Sequence, residues 1–159
     1  MTPIDKTYNE FRKHILDFKK LGSFSIKRWP TLLTKAEFVK KYSLKEFTEI
    51  HGIYIICAHG SIPWDDRPIV FYVGQTLKSI ITRVSRHLRS LYDPSMGGEA
   101  TGKSFVTMGI KLTQTFDVYF IESEILGINN SESSIIAEKA YQHIFDSIVK
   151  DMRCKIKQK

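Results

Sequence analysis

Five side chains of complementary chemistry stand out along this sequence: the phenols of Tyr54 and Tyr72, the guanidinium of Arg83, the imidazole of His87 and the carboxylate of Glu138. Each tyrosine belongs to a glycine-containing tripeptide, Gly52-Ile53-Tyr54 and Tyr72-Val73-Gly74, within a run rich in β-branched residues. Arg83 and His87 follow at i and i+4 spacing, and Glu138 comes much later. A phenol and an imidazole can exchange a proton, and a guanidinium neutralises an oxyanion through planar donors. A carboxylate is a hard oxygen ligand suited to Mg²⁺ or Mn²⁺. Hydrolysis of a phosphodiester needs such parts: an activated water, a neutralised phosphate and a stabilised leaving oxygen.

These groups act together only if the elements carrying them converge. Residues 52–58 and 69–75 are rich in β-branched and aromatic side chains and read as strands, joined by a long turn-rich loop over 59–68. The spacing of Ile80, Ile81, Val84, Leu88 and Leu91 predicts a helix over 78–91. On it Arg83 and His87 fall on one flank of the apolar stripe, while Arg86 and Arg89 face solvent. A further strand is expected over 116–121 and another over 105–111. Asn130 or Ser131 caps a last helix running to about Met152, with Ala137, Tyr141, Ile144, Phe145, Ile148 and Met152 on its apolar face. Glu138 lies at the margin of that face and Glu132 points away from it. A carboxylate at such a margin needs a cation, either Lys139 or Lys78 in a salt bridge or a divalent metal.

Ahead of the first tripeptide the chain reads as helical and basic. Tyr8, Phe11, Ile15 and Phe18 recur at helical spacing over 8–20, and Gly22-Ser23 ends that helix. Thr34 and Glu37 form a capping-box pattern for a short helix to Tyr42, and Ser43 and Glu46 repeat the pattern. The expected organisation is a basic helical extension over 1–50, a core over 51–152 and a basic tail over 153–159. Strand, strand, helix, strand, helix in that order predicts an α+β domain, a small antiparallel sheet flanked by helices.

The 159 residues suffice for one modest core, and 24 Lys and Arg against 17 Asp and Glu leave a net charge of +7. That surplus favours a polyanionic partner, nucleic acid before an anionic membrane. No apolar run reaches membrane-spanning length, and residues 2–6 lack the apolar core of a signal peptide. Cys57 and Cys154 form no disulfide framework and suit a reducing cytoplasm.

Tyr54, Tyr72, Gly74, Arg83, His87 and Glu138, together with the local text Phe71-Tyr72-Val73-Gly74-Gln75-Thr76 and Ile135-Ile136-Ala137-Glu138-Lys139-Ala140-Tyr141, resemble the GIY-YIG nuclease family over about residues 52–149. The resemblance implies a metal-dependent DNA endonuclease. In it Glu138 holds one Mg²⁺ or Mn²⁺ ion, Arg83 neutralises the phosphate, and Tyr54 positions or deprotonates water with His87 as proton acceptor. Tyr72 hydrogen-bonds the phosphate or the water. Between the tripeptides the chain is longer than is usual there, and no Asn follows Asn130 to match one that many members carry after the glutamate. A compact chain with an N-terminal extension, a loop insertion and no separate DNA-binding domain is most similar to the family's restriction enzymes, which implies site-specific double-strand cutting by a homodimer. A structure-specific or nicking nuclease, and a non-catalytic nucleic-acid-binding module on the same fold, are the alternatives.

Basic residues outside that set, Lys27, Arg28, Lys78, Arg86 and Lys103, together with Gly74, are candidate DNA contacts, with Trp29 or Trp64 stacking on bases. Residues 97–104 match a phosphate-binding P-loop pattern, but neither a strand before nor a helix after them is expected, so a flexible loop is the better reading.

Overall fold

A computed structural model describes residues 2–25, 33–92 and 115–149, with side chains described for all but 90–92. The expected strand at 105–111, the P-loop-like stretch, Met152 and the basic tail lie outside them, as do Lys27, Arg28, Trp29 and Lys103. Gly52–Ala58 (β2) is buried along almost its whole length. A strand without polar alternation needs cover on both faces. Val70–Thr76 (β3) pairs antiparallel with one side of β2, and Thr115–Glu122 (β4) with the other. Lys19–Ser25 (β1) completes an antiparallel sheet of order β1-β4-β2-β3.

Helices cover both faces, giving the α+β architecture expected from the sequence. Lys35–Lys41 (α2) and Ile80–Tyr92 (α3) supply Phe38, Ile80, Ile81 and Val84 to one core, which contains Tyr54, Ile56, Tyr72 and Val118. Pro3–Arg12 (α1) and Ser131–Ile144 (α5) cover the other face, where Tyr141 packs with Ile53, Ile55, Val73 and Ile121. A short helix, Ser123–Leu126 (α4), ends at Gly127 with φ +67°. Thr34 and Asn130 cap α2 and α5 through their side chains.

Two expectations are corrected. The N-terminal segment is helical as expected at α1 and α2, but α1 ends at Arg12 and not near residue 20, and β1 follows it as an integral strand of the sheet. The domain boundary at residue 51 therefore cuts through the fold. The last helix stops at Ile144 and not near Met152, Asp146 adopts φ +50°, and Ile148 and Val149 turn back to bond the carbonyls of Val70 and Phe71. Two unpaired edge carbonyls of β3 are satisfied that way, which a continued helix could not do.

Candidate active site

Tyr54 on β2 lies opposite Gly74 on β3, and Tyr72 lies opposite Ile56. The two tyrosines are therefore diagonal neighbours on the face that α3 covers. The glycines of both tripeptides have a steric cause. A Cβ at Gly74 would run into the Tyr54 ring, at its Cζ and Oη and within 2.8 Å of Cε2. Gly52 has φ +149°, and a Cβ there would collide with the carbonyl oxygen of Ile121 and sit 2.9 Å from the Ser123 nitrogen. Gly74 thus makes room for the phenol, and Gly52 for the close approach of β2 to β4.

Helix α3 brings the third and fourth groups. Ser79 Oγ accepts from the Thr82 N–H at its first turn, and the Ile80 N–H bonds the Ile50 carbonyl, so the start of α3 is tied to the segment ahead of β2. Two turns on, His87 Nε2 lies 2.6 Å from Tyr54 Oη, and the His87 ring centroid is 4.8 Å from that of Tyr72. Tyr54 and His87 are wholly buried and Tyr72 nearly so. Periodicity placed His87 on the flank of the stripe; in the fold, Tyr54 and Tyr72 close over that flank. Arg83, one turn earlier, is half-buried and Arg86 is exposed.

Glu138 is 1% exposed on α5. Its neighbours in the same helical row locate it. Ser134 Oγ donates to Gln75 Oε1 at 2.6 Å, and Gln142 Nε2 donates to the Val73 carbonyl at 3.0 Å. Each four-residue step along a helix turns it by only about 40° and advances it by about 6 Å. Glu138 is therefore set midway between these two anchors, against β3 at the level of Gly74. Tyr54 and His87 lie in the core that α3 covers, whereas α5 packs on the opposite face of the sheet.

Beside this set lies a cleft of about 290 Å³ whose lining includes Gln75, Lys78, Ser79, Arg83, Arg86 and Ser131. Three cations, Lys78, Arg83 and Arg86, meet there with the first turns of α3 and α5, a setting favourable to phosphate. Gly74, a candidate DNA contact, instead faces the Tyr54 ring.

Sequence reasoning missed Gln75, Ser134 and Gln142, although the i−4, i, i+4 row around Glu138 was there to be read. It also missed a second polar centre. Asp117, 1% exposed, accepts from His59 Nδ1 at 3.0 Å and from the Gly60 N–H at 2.8 Å, with Lys20 Nζ 3.6 Å away. Burial pushes its carboxyl up, but the Gly60 N–H, His59 and Lys20 outweigh that and hold it below the ordinary range. Its neighbour Cys57 is pushed up to about 12, by burial first and then by the Asp117 charge, and is no nucleophile. Ser123 Oγ lies 3.0 Å from His51 Nδ1, and Glu124 3.4 Å from His51 Nε2.

Among the described residues no three His, Cys, Asp or Glu converge. The Glu138 carboxylate fits Mg²⁺ or Mn²⁺, which accept one carboxylate with water and substrate phosphate completing the shell, and does not fit a closed zinc site. Among the described residues no helix is long and apolar enough to cross a membrane. No protein-family model, curated protein or solved structure matches the chain.

Proposed function

We propose that this chain is a metal-dependent endonuclease that hydrolyses DNA phosphodiester bonds, as its resemblance to GIY-YIG nucleases implies. One observation carries the reading: the Tyr54 hydroxyl bonds at 2.6 Å to a wholly buried imidazole that Tyr72 also packs against, one helical turn from Arg83 in a basic cleft. Burying a histidine against a phenol gives that phenol a proton acceptor. Tyr54 passes its proton to His87 Nε2, and its oxygen takes one from the attacking water. Arg83 spreads its planar donors over the phosphate oxygens as negative charge grows there. Tyr72 holds the imidazole in place. A Mg²⁺ or Mn²⁺ ion held by Glu138 supplies further neutralisation of the phosphate and of the leaving oxygen. Substrate enters from the Arg83 side, where Lys78 and Arg86 take the flanking phosphates. Cutting both strands in one encounter with one site per chain implies a homodimer.

The complete burial of Tyr54 and His87 favours one rival, a nucleic-acid-binding module in which these residues serve only as core. Plasmid DNA incubated with Mg²⁺ or with EDTA separates the two. Discrete fragments with metal alone are expected, whereas nicking would point to a structure-specific enzyme. Binding without cleavage of plasmid, RNA or branched DNA would establish the module. Glu138→Ala is expected to abolish cutting while DNA binding persists in EDTA, and retained cleavage would refute the metal assignment.

A further inference from the structure

We infer that Ser134 and Gln142 are positioning residues for the Glu138 carboxylate, an inference that rests on Glu138 being the metal ligand of the proposed nuclease. Ser134 is wholly buried and Gln142 is 1% exposed. Both reach across to β3, Ser134 through the Gln75 side chain at 2.6 Å and Gln142 to the backbone carbonyl of Val73 at 3.0 Å. A buried glutamine in a helix loses rotamer freedom and must be matched by a partner, so an aliphatic side chain would serve packing alone better. What the two polar bonds add is register. They fix α5 in rotation and translation relative to β3 at one point four residues before Glu138 and another four residues after it. With α5 held at both points, the backbone that carries Glu138 is fixed in height and rotation against β3, which limits where its carboxylate can reach.

Other bonds hold α5 without framing Glu138. Tyr141 Oη donates to the Phe11 carbonyl at 2.9 Å and ties α5 to α1 rather than to β3. Tyr141→Phe is therefore a control that loosens the helix but leaves the row untouched.

The test uses Mn²⁺ alone as probe, with free ion counted by electron paramagnetic resonance during titration of the metal-stripped protein, and Tm measured in parallel without metal. Ser134→Ala and Gln142→Leu are each expected to weaken Mn²⁺ binding by about tenfold or more. Ser134→Thr, which keeps the hydroxyl, restores it. Tyr141→Phe lowers Tm and leaves Mn²⁺ affinity at the wild-type value. Glu138→Gln removes the binding altogether. Wild-type affinity in Ser134→Ala and Gln142→Leu, with binding lost in Glu138→Gln, overturns the positioning role and leaves the metal assignment standing. Wild-type affinity in Glu138→Gln overturns both. Should Gln142→Leu fail to fold, Ser134→Ala, the smaller change, decides alone.

Discussion

His87 and His59 each hydrogen-bond a side chain far away in sequence, yet the fold treats them in opposite ways. His87 is wholly buried and its Nε2 meets a phenol, whereas His59 is 60% exposed and its Nδ1 meets the buried carboxylate of Asp117. In the second pair the charge has its own support, from the Gly60 N–H and Lys20. That pair acts as a clasp that fastens the loop after β2 to β4. In the first pair no such economy holds: an imidazole, a guanidinium one turn earlier and two phenols are gathered where aliphatic side chains would pack at less cost. Both pairs hold a polar group in the interior, but only the Asp117 carboxylate is matched there by a backbone N–H and a lysine as well as an imidazole.

The comparison breaks first at Tyr54 and His87. Tyr54→Phe and His87→Ala are each expected to lower the rate of plasmid cutting by about 10²- to 10⁴-fold, the usual worth of a positioned acid or base, with DNA binding retained in EDTA. Equal loss of cutting in His59→Ala would erase the distinction between the two histidines. Gly74→Ala comes next. The added methyl meets the Tyr54 ring, so the phenol must shift or β3 must yield, at a cost of about 1–3 kcal/mol. A drop in Tm together with lost cutting is expected, whereas unchanged activity would show that the phenol is not held by that fit.

Much of this arrangement was legible beforehand, and the exceptions have physical causes. The β-branched runs gave β2 and β3, and the apolar period gave α3, on which Arg83 is half-buried and His87 wholly buried. β1 was hidden because Lys19–Ser25 contains no β-branched residue and holds Gly22 at φ +157°. Its strand form comes from pairing with β4, a tertiary partner that no local pattern announces. The overrun of α5 has a related origin. Phe145 and Ile148 continue the helical period, but Phe145 is buried while Ile148 is 48% exposed and gives its N–H to β3. The depth of His87 depended on two tyrosines from strands distant in sequence, so periodicity could assign its flank but not its cover.

Asp117→Asn tests the clasp. Replacing the carboxylate leaves the Gly60 N–H and His59 with a weaker acceptor, and about 1–3 kcal/mol of stability is expected to go at neutral pH, with cutting at saturating DNA preserved. The pH dependence follows from the depressed carboxyl. Unfolded, Asp117 titrates near its ordinary 3.8, and in the fold below that. Its contribution is fully present above about 3.8 and is lost as pH falls through the folded value. The stability gap between wild type and Asp117→Asn, followed by thermal melts from pH 7 to pH 2, should therefore close only in acid. A gap that stays constant would mean the charge is not what holds the loop.

His59→Gln carries the smallest effect. The side chain is mostly exposed, and Asp117 keeps both the Gly60 N–H and Lys20 when the imidazole is gone. A change within about 0.5 kcal/mol is expected, with cutting unaltered. His87→Gln, the same exchange inside the core, leaves the Tyr54 hydroxyl facing an amide that cannot take its proton at neutral pH. Two identical substitutions, one silent in both stability and cleavage and the other abolishing cleavage, would separate a fastening from a site by chemistry alone.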